Sequence, residues 1–340
     1  MLALPGWSPV QADAGTRLSC RQLRVHASLS RDQIVAWTAL TGILSTEADG
    51  YGMTGVTEES TCAPVMLSTG LRDVVTAYRA VILDIWGVLI DGKSALPEAA
   101  ECLRQLRRHG IAVLLLSNSS RGSDNLRSYL NELGVPVDRT DHVVTSGELA
   151  AEHLSGTSHR RALQVGSDEG TDWLVRDGRV LVRTADQADV VVATGAVRDE
   201  SLLPFWMEQL RSTARRGVPM ICANPDRELY VGSRRIRAAG HLADLYVGLG
   251  GTVTWCGKPM PEAYHSCLTR LATDAAHVVA VGDSLDTDIA GAACAGLHRV
   301  LVLDTGVHRD MAGLAGNGLS EAIRERGTAL PTFTMDRLRW

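Results

Sequence analysis

The sequence predicts an α/β protein built on a parallel β-sheet. From about residue 66 onward, short and wholly apolar segments alternate with amphipathic segments of helical length. Strands that are apolar along their whole length are typical of a parallel sheet covered by helices on both faces. The predicted strands of this sheet are residues 79–83, 111–116, 277–281 and 299–303.

Three of these strands lead directly into a polar residue. Asp84, Ser117 and Asp283 follow the ends of the first three, or lie one residue beyond. In open α/β sheets, ligands bind beyond the carboxyl ends of the strands. We therefore expect these three side chains to meet at one rim of the sheet and to mark the functional site.

Helices are predicted over residues 97–110 and 123–133, the second closed by Gly134. Residues 149–254 contain further predicted strands at 161–165, 189–194 and 218–222. This second run of strands and helices predicts an inserted α/β domain between two halves of the main domain, residues 65–148 and 255–340. Residues 1–64 show little periodicity apart from one candidate helix at 30–44, and we expect a poorly ordered or loosely attached extension.

Composition excludes several classes of function. The formal net charge is −5 and no basic stripe is visible, which argues against a nucleic-acid-binding protein. No apolar run approaches the roughly 18–20 residues of a membrane helix, and no secretory signal is recognisable. The seven cysteines are scattered and odd in number, as expected for reduced thiols. We expect a cytoplasmic protein that acts on a small molecule, without a membrane partner.

Four motifs carry candidate chemistry. A carboxylate such as Asp84 can attack a phosphoryl group and form a covalent intermediate, and Gly87 allows the backbone to approach an anion. Ser117 and Asn118 can hydrogen-bond phosphate oxygens, although a capping serine explains Ser117 equally well.

The other two motifs lie near the C-terminal end of the chain. Lys258, between a glycine and a proline, suits charge neutralisation at a phosphate, although an exposed surface lysine is the alternative. Asp283, Asp286 and Asp288 together resemble a site for a hard cation such as Mg²⁺, although acidic clusters also form helix caps.

Taken in order, these motifs resemble those of the haloacid dehalogenase (HAD) superfamily. Its members carry a nucleophilic Asp, a Ser or Thr, a Lys and an acidic GDxxxTD-like motif. The insertion is similar to the large α/β cap of the nitrophenylphosphatase-like branch, subfamily IIA, and the first motif to a bacterial subgroup with Asp-x-Trp-Gly. The matching segments are residues 84–89, 222–226, 257–259 and 282–288.

The resemblance implies a Rossmann-like core and a Mg²⁺-dependent phosphatase. The substrate would be a small phosphorylated metabolite, such as a sugar phosphate or a nucleotide, and the intermediate an aspartyl-phosphate. The implied catalytic residues are Asp84, Ser117 and Lys258. The implied substrate-binding residues are Trp86, Gly87, Asn118, Asn224 and Asp226. The implied metal ligands are Asp84, the Trp86 carbonyl, Asp283 and Asp288, the last through water or by orienting Lys258.

An Asx-Pro turn explains Asn224 and Asp226 as well as a substrate contact does. The oligomeric state stays open, with a homodimer through the cap as one expectation.

Position 86 departs from the family pattern. Most phosphatases of the superfamily carry an acid there, which protonates the leaving oxygen and then activates water, whereas an indole cannot exchange a proton at neutral pH. General acid–base help of about 10²–10⁴-fold is therefore missing from this position. Three explanations stay open: a substrate with a good leaving group, a substitute acid such as Asp91 or Asp226, or a catalytically degenerate protein that transfers the phosphoryl group or only binds a ligand.

Overall fold

The parallel sheet expected from the sequence is confirmed, and it has seven strands. The computed structural model describes residues 65–67, 70–231 and 234–340, so the expected N-terminal extension and its candidate helix lie outside the described residues. All neighbouring strand pairs are parallel. The side-by-side order is β1 (Val65–Met66), β14 (Phe333–Met335), β13 (His298–Val302), β12 (Val278–Gly282), β2 (Ala80–Leu83), β3 (Ala112–Ser117) and β4 (His142–Thr145).

The central strands are apolar throughout because both faces of the sheet are covered. Successive side chains of a strand point to opposite faces. Val81 and Leu83 of β2 pack in one cluster with helices α1 (Ala99–Arg108) and α2 (Ser123–Glu132). Ala80 and Ile82 pack in another with α6 (Pro261–Leu271) and α7 (Ala290–Cys294). A third cluster places α8 (Gly316–Glu325) against the end of β13.

A second sheet lies within the inserted segment, and residues 149–254 do not extend the first sheet. Its five strands are all parallel. Their order is β11 (Val253–Trp255), β8 (Met220–Cys222), β7 (Val190–Thr194), β5 (Arg161–Gly166) and β6 (Val180–Val182). Trp255 closes β11, so the predicted return to the main domain at residue 255 falls inside this strand.

Helices cover both faces of the second sheet as well. One face packs against α4 (Leu203–Arg215) and α5 (Ala239–Gly248). The other packs against α3 (Ser146–Ser155), which follows β4 of the first sheet directly. Along the chain, β8 and α5 are connected by an antiparallel hairpin of β9 (Glu228–Val231) and β10 (Arg234–Arg237).

The loop after β3 connects the two sheets. Ser120 Oγ donates to the carbonyl of Ala223 at 3.0 Å and accepts from the N–H of Gly195 at 2.7 Å. The indole N–H of Trp173 donates to the Ser120 carbonyl at 2.8 Å. These partners follow β7 and β8 or lie near α3, so the carboxyl rim of the second sheet is fixed to a loop at the carboxyl rim of the first.

Two remaining expectations concern membrane-spanning helices and the cysteines. Within the described residues, no helix has both the length and the apolar character needed to cross a membrane. Cys102, Cys222, Cys256 and Cys267, in the same part of the chain, are buried free thiols.

Candidate active site

Asp84 follows β2 near the centre of the seven-stranded sheet. Its N–H donates to the carbonyl of Val281 at 2.9 Å, which continues the pairing of β2 with β12 and fixes the position of the buried carboxylate. The chain then turns at Gly87, whose φ is +80°. A Cβ at Gly87 would lie 2.3 Å from Oδ2 of Asp283, so only glycine lets this loop pass so close to the second acid.

Ser117 ends the neighbouring strand β3 at the same rim. Its side chain is buried, and Oγ accepts a hydrogen bond from the N–H of Ser119 at 3.1 Å. Because β2 and β3 are parallel and adjacent, Ser117 and Asp84 lie at the carboxyl ends of neighbouring strands, as the sequence predicted.

Lys258 is buried in the segment between β11 and α6, with only 3% of its surface exposed. Nζ donates to Oδ1 of Asp84 at 2.5 Å and to Oδ1 of Asp288 at 2.6 Å. The Lys258–Pro259 peptide bond is cis. The alternative of an exposed surface lysine is therefore excluded, and Lys258 bridges two of the motifs singled out in the sequence.

Asp283 directly follows β12, and Asp288 lies on the turn of π-helix that comes next, Leu285–Ile289. Oδ2 of Asp283 accepts from the N–H of Val307 at 2.9 Å, and Oδ2 of Asp288 from the N–H of Ser284 at 3.1 Å. A Cβ at Gly282 would lie 2.2 Å from Cβ of Asp288. Asp286, the third acid of the motif, is exposed, whereas Asp283 and Asp288 are buried.

Asp84, Asp283 and Asp288 form a buried acidic cluster. Each offers one carboxylate oxygen, and these oxygens all lie within 4.8 Å of one another. Lys258 pairs with Asp84 and Asp288, and Asp283 lies beside them, so the three acids would carry two negative charges more than the ammonium neutralises if all of them were ionised. Buried charge is stable only when it is compensated. An oxygen-only donor set with this excess fits a hard divalent cation.

Burial and mutual repulsion shift the ionisation of this cluster. Burial raises the pKa of Asp84 to about 7, against the attraction of Lys258. Burial, together with the charges of Asp84 and Asp288, raises the pKa of Asp283 well above its usual range. Burial opposes the charged form of Lys258, but the carboxylates of Asp288 and Asp84 outweigh it and hold the lysine pKa well above its ordinary value.

The Trp86 side chain packs against a neighbouring helix and the main hydrophobic cluster. Its ring stacks on Tyr129 of α2, with centroids 6.4 Å apart and planes 18° from parallel, and it borders the main hydrophobic cluster. The guanidinium of Arg121 lies over the other ring of this pair, 5.0 Å from the centroid of Tyr129. The indole is thus held by packing and remains half-buried.

Asn224 and Asp226 follow β8, and the structure brings one of them to the site. Oδ1 of Asn224 accepts from the N–H of Asp226 at 3.0 Å, which is the turn that the sequence allowed as an alternative. The Asp226 carboxylate accepts from Nδ2 of Asn118 at 2.8 Å. Burial raises the pKa of Asp226, and the hydrogen bond from Asn118 and the charge of Lys258 partly oppose that shift.

Asn118 is turned toward protein groups. Besides Asp226, its side chain bonds the backbone N–H of Lys258 at 2.8 Å, the Lys258 carbonyl at 3.1 Å and Oγ of Ser146 at 3.3 Å. Only the backbone of Asn118 is therefore available for the predicted contact with substrate, unless one of these side-chain bonds is broken.

Asp91, the other candidate for a substitute acid, is exposed and closes a turn. Its Oδ1 accepts from the N–H groups of Lys93 and Ser94, both at 2.8 Å. The first of these bonds, followed by the second, lowers the pKa of Asp91. A carboxylate with a lowered pKa is a poor proton donor near neutrality.

Sequence reasoning missed the segment that follows β13. Thr305 Oγ1 donates to the carbonyl of Gly87 at 2.6 Å, and the N–H of Val307 holds Asp283. A Cβ at Gly306 would lie 2.3 Å from Cβ of Asp283. The strand at 299–303 was predicted, so the rule that selected Asp84 and Asp283 would also have selected Asp304 and Thr305, but not Gly306 or Val307, which are not polar.

Fold and site together define the class: a HAD-type hydrolase, in which a parallel sheet presents an aspartate, a buried lysine and an acidic cluster at its carboxyl rim. Comparison with known families agrees. A model described as haloacid dehalogenase-like hydrolase matches residues 81–178, and a second, HAD-hydrolase-like, matches residues 255–326.

Individual relatives extend this result. The chain is 30% identical over 275 residues to the D-glycerol 3-phosphate phosphatase of Mycobacterium tuberculosis. The aligned region covers 79% of this chain and 72% of that protein. A haloacid dehalogenase-like hydrolase from Brucella suis 1330 has 31% identity and a TM-score of 0.67, covering 80% of this chain and 100% of that one. The p-nitrophenyl phosphatase from Archaeoglobus fulgidus has 26% identity and a TM-score of 0.63, covering 76% and 96%. The chain belongs to the haloacid dehalogenase-like hydrolases, in the nitrophenylphosphatase-like branch.

Proposed function

We propose that the chain is a Mg²⁺-dependent phosphatase that hydrolyses a small phosphorylated metabolite through an aspartyl-phosphate on Asp84. The observation that carries this proposal is the buried cluster, in which the Lys258 ammonium bridges Asp84 and Asp288 while Asp283 lies within 4.8 Å. A carboxylate held beside a buried cation, at the rim where α/β sheets bind ligands, suits attack on a phosphoryl group.

The metal would be held by Asp84, Asp283 and the Trp86 carbonyl, with Asp288 in support. When bound, Mg²⁺ supplies positive charge to the phosphoryl oxygens. The reason for choosing a divalent cation is that Lys258 can neutralise only one of the three clustered carboxyl groups when all are ionised.

The chain's own residues then divide the work. Asp84 attacks phosphorus as the leaving oxygen departs with the electron pair of the P–O bond, which forms the acyl phosphate and releases the leaving group as an anion that takes its proton from solvent. Lys258 neutralises charge on Asp84 and on the transferring group. The Ser117 hydroxyl, whose oxygen already accepts from Ser119, keeps its proton to donate to a phosphoryl oxygen. Water finally cleaves the acyl phosphate and restores Asp84.

The substrate's leaving group is constrained by position 86. The Trp86 indole carries no exchangeable acid and is occupied by packing on Tyr129, and Asp91 is committed to a turn. Of the two substitute acids considered, Asp226 is the one linked to the site, through Asn118. We expect phosphates with low-pKa leaving groups, such as aryl and acyl phosphates, to react faster than alkyl phosphates.

The inserted domain is proposed as the cap that selects the substrate, since its carboxyl rim is fixed to the loop after Ser117 by Ser120. The p-nitrophenyl phosphatase and glycerol phosphatase relatives support a small phosphate ester as substrate. A cytoplasmic location remains a prediction. A homodimer through the cap is likewise a proposal for solution measurement.

A second candidate function is favoured by Trp86 itself. Without an acid–base group at that position, the chain would form a phosphoenzyme and pass the phosphoryl group to an acceptor other than water, or would retain its ligand.

A phosphate-release screen with Mg²⁺ tests both candidates, using aryl, acyl, sugar and nucleotide phosphates, with Asp84→Asn as the control. Multiple turnovers that Asp84→Asn abolishes would establish the phosphatase. Labelling of the protein without release of phosphate would favour the second candidate, and activity that survives in Asp84→Asn would overturn both.

A further inference from the structure

The Asn118 carboxamide has no hydrogen-bonding capacity left for a substrate. A carboxamide has two N–H donors and one oxygen with two lone pairs. In this buried side chain, Nδ2 donates to Asp226 and to the Lys258 carbonyl, while Oδ1 accepts from the Lys258 N–H and from Ser146. All four positions are filled by protein groups.

The partners also fix which way the amide points. The N–H of Lys258 can only donate, so it must face Oδ1. The Lys258 carbonyl and the Asp226 carboxylate accept, so they must face Nδ2. A flipped amide would set donor against donor and acceptor against acceptor, and the arrangement is therefore self-consistent in one orientation only.

The pairing with Lys258 resembles one rung of a β-ladder. Both the N–H and the C=O of the same residue are held by one amide, which restrains the main chain from which the Lys258 side chain extends to Asp84. The preceding Gly257 has a φ of +123°, and a Cβ there would lie 2.6 Å from Asn118 Oδ1 and 2.0 Å from Ser146 Oγ. Gly257 therefore permits the close approach on which the pairing depends.

The fourth contact brings in the inserted domain. Asp226 follows β8 of the second sheet, whereas Asn118 follows β3 of the first, and the bond between them is charge-assisted at 2.8 Å. The same amide thus bonds both the segment after β8 of the inserted domain and the lysine that pairs with Asp84.

We propose that Asn118 is a positioning residue that couples Asp226 of the inserted domain to Lys258, so that the lysine is correctly placed only when this segment is docked. The proposal rests on the phosphatase activity only for its kinetic readout. Asn118 acts through Lys258 and has no side-chain contact with the phosphoryl group.

Kinetic double-mutant cycles test the route of action with an aryl phosphate. Asn118→Ala should lower kcat by about 10–100-fold with little change in KM, since a misplaced charge weakens transition-state stabilisation. In a Lys258→Ala background, the same substitution should have less than about a threefold further effect, because residues that act as a unit are not additive. Full multiplicative effects, or a rise in KM alone, would show a direct substrate contact and overturn the proposal.

A conservative variant and a matched control separate positioning from general destabilisation. Asp226→Leu removes the acceptor of the Asn118 amide and should resemble Asn118→Ala, whereas Asp226→Asn keeps an oxygen that accepts from Asn118 and should be the milder of the two changes. Equal losses in Asp226→Asn and Asp226→Leu would mean that the carboxyl group acts as an acid and not through Asn118, which would overturn the proposal. Asn125 also bonds an aspartate in the inserted segment, Asp172, at 3.2 Å on the surface, and Asn125→Ala should leave kcat unchanged. If Asp226→Leu behaves like the Asn125 control, the coupling does not exist.

A stability cycle gives a readout that needs no activity. Melting midpoints of the full chain are compared for Asn118→Ala, Asp226→Leu and the double variant. The double variant should melt well above the value expected from adding the two separate losses, because each single change removes the same bond. Additive losses would overturn the coupling, while absent turnover in the wild type with a coupled stability cycle would refute only the phosphatase.

Discussion

Replacing Trp86 by aspartate should speed the second half of the reaction. The substitution restores a carboxyl group two positions after the nucleophile, where water must lose a proton as it attacks the aspartyl-phosphate. General-base help is worth about 10²–10⁴-fold, so turnover limited by hydrolysis of the intermediate should rise by up to that factor. Wild-type protein should instead accumulate phosphoenzyme on Asp84.

The structural cost of Trp86→Asp can be bounded from its packing. Truncating a fully buried tryptophan costs about 3–5 kcal/mol, and this indole is only half-buried against Tyr129. We therefore expect a loss of about 2 kcal/mol, within the stability range of ordinary domains. The variant should fold, with a melting midpoint lowered by several degrees.

Rapid-quench kinetics with an acyl phosphate measure the two steps separately. The wild type should show a burst of protein-bound phosphate followed by slow release, and Trp86→Asp should show faster release with a smaller burst. Tyr129→Leu serves as the matched control, because it removes the same ring stack without adding a carboxylate. Fast wild-type turnover without a burst, slowed by Trp86→Asp, would mean that another base does the work and that Trp86 shapes the pocket.

Three further outcomes follow from the acidic cluster. Lys258→Met should cost about 3–5 kcal/mol in unfolding free energy, because it leaves buried carboxylates without their cation, and denaturant titration measures this; a neutral effect would contradict the buried pairing. Mg²⁺ at about 100 times its dissociation constant should stabilise the wild type by roughly 2.7 kcal/mol, and Asp283→Asn should largely remove this shift in thermal melts; equal shifts in both proteins would place the cation elsewhere. Gly87→Ala should abolish Mg²⁺ binding in calorimetry, since its Cβ would lie 2.3 Å from Oδ2 of Asp283; retained affinity would show that the loop can move aside.

The main sheet was readable from sequence because its strands are buried on both faces. Residues 79–83 and 111–116 were expected as strands, and β2 and β3 occupy Ala80–Leu83 and Ala112–Ser117. Three strands toward the two edges of the sheet, β1, β14 and β4, were not predicted. They have only two, three and four residues, too few for periodicity to separate them from loops.

The sequence motifs identified the residues of the site, whereas the contacts between these residues follow from the fold. Asp84 and Asp283 were selected because strands lead into them, and the rule that parallel strands share a carboxyl rim brought them together. The bond from Asn118 to Lys258 joins residues 140 apart in the chain, and nothing local to either residue encodes it. Asp286 illustrates the converse, since its motif suggested a ligand but the π-helical turn exposes it.

Ser120 has a consequence for protein engineering. Because its hydroxyl and carbonyl hold groups that belong to the inserted segment, the functional border of that segment does not coincide with the border drawn from the strands. A chimera that exchanges only residues 161–255 with a relative would leave the recipient's 117–122 loop facing foreign partners. A graft that carries the 117–122 loop together with residues 161–255 would keep both sets of hydrogen-bonding partners. Substrate preference would then depend on two segments that are separate in the sequence.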